Sequence, residues 1–209
     1  MLFRSLFGRR RELAVLEQAL AAHAAGTGTV VEVVGPPGMG KSHVVRAFLA
    51  GAPTPRVYVA GDLALSGVPF AALARSLGRA LAMDEPGRRR AAIGSAGDLA
   101  PLLGPVLGFD LPATDASRAI ESSSIAAVRA ELVAALLGDP AGLMVLEDVH
   151  WLDPASRELL AGVIDPLAAA GWLVVVVRRT DAPAITKRDR KSTRLNSSHA
   201  LLSRMPSSA

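Results

Sequence analysis

The run Gly35-Pro36-Pro37-Gly38-Met39-Gly40-Lys41-Ser42 sets a lysine and a hydroxyl at the end of a glycine-punctuated loop, directly behind the apolar stretch Val30-Val31-Glu32-Val33-Val34. It fits G-x-x-x-x-G-K-[ST], the Walker A phosphate loop, in the strand-then-loop setting the motif requires. Its glycines let backbone N–H groups approach a polyphosphate without Cβ clashes. Lys41 can reach the β- and γ-phosphates, and the Ser42 hydroxyl can ligate Mg²⁺. A helix beginning here points its positive end at the same phosphates. The expected chemistry is binding of a nucleoside triphosphate, ATP with Mg²⁺.

Such a loop needs a metal ligand and, for hydrolysis, a group that orients or deprotonates water. Leu143-Met144-Val145-Leu146 runs into Glu147-Asp148, the Walker B pattern of an apolar strand ending in acids. Parallel sheets bind ligands at that carboxyl edge. Successive strand residues point to opposite sides, so only one of the two acids faces the metal directly. Arg178 and Arg179, behind a further apolar strand, either reach the γ-phosphate or form a solvated strand end. His150 either senses the γ-phosphate or packs beneath the next helix. Trp151 is expected to pack between sheet and helix, and Asp153-Pro154 to cap and start that helix.

The elements that must hold these groups alternate. Apolar residues recur at helical spacing from Arg10 to Ala25, and Thr29–Val34 reads as a central strand covered on both faces. A helix from Lys41 to about Ala50, a strand over Arg56–Ala60 and a helix over Val68–Leu81 follow. Turn signals interrupt 84–121, where Arg88-Arg89-Arg90 is an exposed run and Leu99–Leu107 a short helix. Then come a helix over Ser123–Leu137, the strand Leu143–Leu146, a helix over Ser156–Ala169 and the strand Trp172–Val177. Strands separated by helices predict βαβ crossovers and a three-layer α/β sandwich with a parallel sheet.

Composition changes near residue 188. Residues 189–209, opening Asp189-Arg190-Lys191-Ser192-Thr193-Arg194-Leu195-Asn196, resemble the translated read-through of a short-read sequencing adapter. They are expected to be a non-native disordered tail outside the folded domain of residues 1–188. Genomic DNA encoding 189–209 in frame overturns that reading. Arg190, Lys191, Arg194 and Arg204 against Asp189 give the tail a net +3, which leaves +1 of the chain's +4 for residues 1–188. The basic pI of about 10.3 therefore carries no expectation of a nucleic-acid site. The chain has no cysteine, which excludes disulfides and Cys-ligated zinc. No apolar stretch approaches the length of a membrane span and no signal peptide is recognised, so a cytoplasmic protein is expected.

The segment Val145-Leu146-Glu147-Asp148-Val149-His150-Trp151-Leu152-Asp153-Pro154-Ala155-Ser156 resembles the Walker B region of origin-recognition-like AAA ATPase domains of the STAND group, found in large LuxR-type regulators and in adenylate/guanylate cyclase-linked proteins. Phe7-Gly8-Arg9 with Glu12-Leu13, and Val68-Pro69-Phe70, resemble other segments of that family. Arg178 falls where its sensor-one arginine usually lies. The family usually opens the acidic pair with Asp, where this chain has Glu147. The longer Glu147 side chain leaves the division of labour with Asp148 open; the assignment taken here is Glu147 with Ser42 on Mg²⁺ and Asp148 polarising water, and the resemblance implies Arg178 on the γ-phosphate. It also implies a fifth strand beside the Walker A strand and a lid, both lying beyond residue 188 and absent here. An exposed sheet edge and weak ATP binding or aggregation should result. The implied function is a Mg²⁺-dependent ATP switch whose output domain, DNA-binding or cyclase, belongs to the missing part of a larger protein. The alternatives are an oligomeric motor or loader, and a scaffold that holds nucleotide without hydrolysis.

Overall fold

Valine and leucine runs form the strands that carry the fold. The computed structural model describes residues 9–83, 85–138, 140–185 and 193–196, the last four as backbone. Helix α1 (Arg10–Ala24) leads into β1 (Thr29–Val34), α2 (Lys41–Leu49) and β2 (Val57–Ala60). Then come α3 (Ala71–Ala80), α4 (Pro86–Ala96), a 3-10 stretch (Gly97–Leu103), α5 (Gly104–Leu107), α6 (Asp115–Ala119) and α7 (Ile125–Leu137). Strand β3 (Leu143–Glu147), a 3-10 turn (Val149–Trp151), α8 (Pro154–Ala169), β4 (Leu173–Arg178) and β5 (Thr193–Asn196) complete the order.

All strand pairs are parallel, in the spatial order β2-β3-β4-β1-β5. Both faces are covered, as the near-continuous apolar strands require. On one face Val57, Met144, Leu146, Val174 and Val176 pack with Leu73, Leu77, Leu137, Leu160 and Ile164. On the other, Val31, Val33, Val145 and Val175 pack with Leu16 of α1 and Val44, Val45 and Phe48 of α2. Each such buried side chain contributes about 1.5–3 kcal/mol. The three-layer sandwich is as expected, and it brings the loops after β1, β3 and β4 to one edge.

The fifth strand departs from expectation. Thr193–Asn196 pairs in parallel with Val31–Val34, at the edge of β1 that was expected to be open. A ladder is built from backbone N–H and C=O groups, so a change of composition does not prevent a segment from closing an edge. The remainder of 189–209 lies outside the described residues, as do Phe7 and Gly8.

Two helices also differ. The turn after β2 runs longer than the sequence indicates: α3 starts at Ala71, because Phe70 is left-handed (φ 61) and its N–H donates to Asp153 Oδ2 at 3.1 Å. Arg88, Arg89 and Arg90 are exposed as expected, but on a regular helix, α4, with Pro86 in its first turn. Among the described residues no helix is long and apolar enough to cross a membrane.

Candidate functional site

The phosphate loop leaves β1 at Val34 and is tied to the neighbouring strand by Gly35 N–H donating to the Arg178 carbonyl. Gly38 and Gly40 are left-handed (φ 76 and 75), which a side chain would strain. Lys41 folds back over the loop and donates from Nζ to the carbonyls of Gly35 (2.9 Å) and Pro36 (2.8 Å). Burial lowers its pKa, while Asp148 and Asp181 work against that shift. Arg9 braces the outer side of the loop, donating to the Met39 carbonyl at 2.7 Å and pairing with Glu12 at 3.0 Å. The arginine of the Phe7-Gly8-Arg9 segment thus has a physical role, fixing the phosphate loop from the start of α1.

Pro37, Gly38, Gly40, Lys41 and Ser42 line a cavity of about 420 Å³ together with His43, Arg46, Asp148, His150, Trp151 and Arg179. The structure therefore brings together the Walker A residues and Asp148. Gly35, Pro36 and Met39 shape the loop through their carbonyls rather than by lining the cavity. Trp151 is half-buried on the cavity wall, with its ring 4.9 Å from that of His150, rather than enclosed between sheet and helix. Burial depresses the His150 imidazole pKa, and its Nδ1 is buried without a hydrogen-bond partner.

The two Walker B acids diverge as strand geometry requires. Asp148 steps out of β3 into a left-handed conformation (φ 48) and faces the cavity. Glu147 stays buried at the strand end, where Tyr58 of β2 donates its hydroxyl to Oε2 at 2.9 Å. Desolvation raises the Glu147 pKa, with the Tyr58 hydrogen bond opposing it. Glu147 Oε1 is buried with no hydrogen-bond partner. A buried carboxylate oxygen left unpaired suits a cation or its bound water. Ser42 lines the cavity and Glu147 does not; hydroxyl and carboxylate oxygens are donor types that Mg²⁺ takes. Gly61 lets the end of β2 approach closely, since a Cβ there would run into the Asp148 carbonyl oxygen.

The arginine pair separates in the same way. Arg178 turns into the sheet layer and meets Glu32 of β1, donating from Nε at 3.3 Å and from Nη2 at 3.1 Å. Both side chains are buried. Arg179, one residue on, lines the cavity. Sequence reasoning assigned the phosphate contact to Arg178. The signal that separates the two was present: a lone acid in Val30-Val31-Glu32-Val33-Val34 needs a buried cation, and a neighbouring strand can supply one. His43 and Arg46, on the first turns of α2, and Tyr58 and Asp181 carry no motif of their own.

A family model for an AAA ATPase domain matches residues 5–177. No curated protein matches the chain.

Proposed function

The chain belongs to the AAA ATPase domain family, and from that premise we propose that it is an ATP-binding, Mg²⁺-dependent switch module of a larger bacterial regulator. The observation that carries this reading is the convergence of Lys41, Ser42, Asp148 and Arg179 on one cavity at the carboxyl edge of the sheet. That is where a triphosphate would be gripped and its terminal phosphate sensed.

In this reading Lys41 releases the Gly35 and Pro36 carbonyls to hold the β- and γ-phosphates. Ser42 and Glu147 hold Mg²⁺, with Tyr58 keeping the glutamate in place. Bound Mg²⁺ supplies neutralisation of charge on the β- and γ-phosphate oxygens. Asp148 orients and polarises the attacking water. Arg179, rather than Arg178, contacts the γ-phosphate, supported by its place on the cavity wall. Arg178 acts behind it, fixing the strand end against Glu32.

Loss of the γ-phosphate then removes the contact to Arg179, and segments beyond β4 read the change. A DNA-binding or cyclase output domain, a STAND-type signalling role and a cytoplasmic setting follow from the family resemblance. We retain residues 1–188 as the ATPase domain, with β5 supplied from outside it. The test is ATP turnover and Mg²⁺–ATP binding by the chain and by Asp148→Asn. We expect turnover to fall by about 10²-fold or more while binding persists. Unchanged turnover removes Asp148 from the chemistry, and bound ATP that is never hydrolysed by the unaltered chain leaves a nucleotide-holding scaffold.

A further inference from the structure

The guanidinium of Arg179 is already occupied. Its Nε donates to Asp181 Oδ1 at 3.1 Å and its Nη2 to Oδ2 at 2.8 Å, the two-pronged geometry that arginine offers to a carboxylate or a phosphate alike. We propose that Asp181 is the resting partner of Arg179, and that the terminal phosphate must displace it. Asp181 thereby limits how strongly the site prefers triphosphate over diphosphate. The inference rests on the nucleotide-site reading above.

Three observations point to an exchange of partners rather than a fixed brace. The turn that carries both residues is anchored from the core. Arg178, held by Glu32, donates to the Ala182 carbonyl at 2.9 Å and to the Arg179 carbonyl at 3.4 Å, and Ala182 N–H donates to the Arg179 carbonyl at 3.2 Å. Arg179 can therefore change partner by side-chain rotation alone.

Next, the pair straddles the cavity rim. Arg179 lines the cavity and is about one-third exposed, whereas Asp181 is 64% exposed and not among the lining residues. An exposed ion pair holds its partners weakly, so the latch opens readily.

Finally, Lys41, Arg46 and Arg179 line the cavity with Asp148, and Asp181 at the rim acts electrostatically on both Lys41 and His150. A divalent metal entering with the nucleotide would offset the acids at the Walker B end. Asp181 has no such compensation and competes with the γ-phosphate for the same guanidinium. A diphosphate ends one phosphoryl group short and draws less on Arg179.

The experiment measures binding of fluorescent ATP and ADP analogues with Mg²⁺ to the full chain, to Asp181→Asn, to Arg179→Gln and to the double variant. Because Asp181 is exposed, its substitution leaves the core intact, and Asp181→Ser serves as a second version. We expect Asp181→Asn to tighten ATP binding by about two- to five-fold, the range an exposed ion pair supports. ADP binding should change less, and the gain should vanish in the Arg179→Gln background. Equal tightening of ATP and ADP, or a gain that survives without Arg179, makes Asp181 a mere background charge and overturns the proposal. If Lys41→Ala binds both nucleotides as well as the unaltered chain, the nucleotide-site reading itself fails and takes this inference with it. That result is separate from the Asp181 comparison.

Discussion

Pairs of adjacent like residues decide the chemistry of this site. Glu147 and Asp148, and Arg178 and Arg179, each split so that one member serves the interior and the other the cavity. The motif spacing located both pairs. Which arginine turns inward was signalled only by the lone acid Glu32 in another strand, and which acid turns inward was not legible, because Tyr58, the partner of Glu147, carries no motif. Tyr58 offers a direct probe, since it is the chain's single tyrosine. Desolvation first, and then the hydrogen bond to Glu147, push its pKa from the ordinary 10.0 to about 12. In metal-free buffer the tyrosinate absorbance should therefore rise near pH 12 in the folded protein, and near pH 10 after unfolding in urea. The neutral phenol is favoured by the fold. Its contribution to stability is thus present below pH 10 and is lost as pH rises from 10 towards 12. A folded-state midpoint near 10 would mean that the Tyr58–Glu147 bond does not persist in solution.

At the level of elements, the turn between β3 and α8 is joined to the turn between β2 and α3 by one side chain. Asp153 is buried and caps α8, accepting from Ser156 N–H at 2.9 Å and from Ser156 Oγ at 2.5 Å while holding Phe70 N–H. Its role as a cap followed by Pro154 was readable from the local sequence. The bond to Phe70, 83 residues away, was not, and it explains the late start of α3. Asp153→Ala removes a cap and strands buried donors, which should destabilise the domain by about 2–4 kcal/mol. Urea unfolding measures it directly. Asp153→Asn, which retains an acceptor for one donor, should lose less. The positions of β1 to β4 were the most legible of all, β1 to the residue, because strands buried on both faces announce themselves as near-continuous apolar runs, in β1 broken only by Glu32. Helix α4 was hidden: it is exposed along most of its length and carries almost no apolar periodicity.

For the whole molecule, the join between β1 and β4 is the seam that matters. Glu32 and Arg178 cross it in the buried layer. Glu32→Gln leaves the guanidinium without its counter-charge, and we expect a loss of about 3–5 kcal/mol. The unfolding midpoint in urea should fall with little change in slope. Replacing both residues with methionine should recover much of that loss, since desolvating an ion pair offsets much of its attraction. Full stability in Glu32→Gln would show that the pair is dispensable. The same seam governs when the protein becomes competent. Thr29 to Val34 lies against Leu173 to Arg178, the two ends of most of the described chain. Until that pairing forms, the phosphate loop, Asp148 and Arg179 belong to separate stretches of polypeptide, and closing so long a loop is slow. During synthesis the β3–β4 portion must leave the ribosome before any nucleotide can be gripped. On the proposed function, affinity for nucleotide is thus acquired late, as a certificate that the β1–β4 seam has closed.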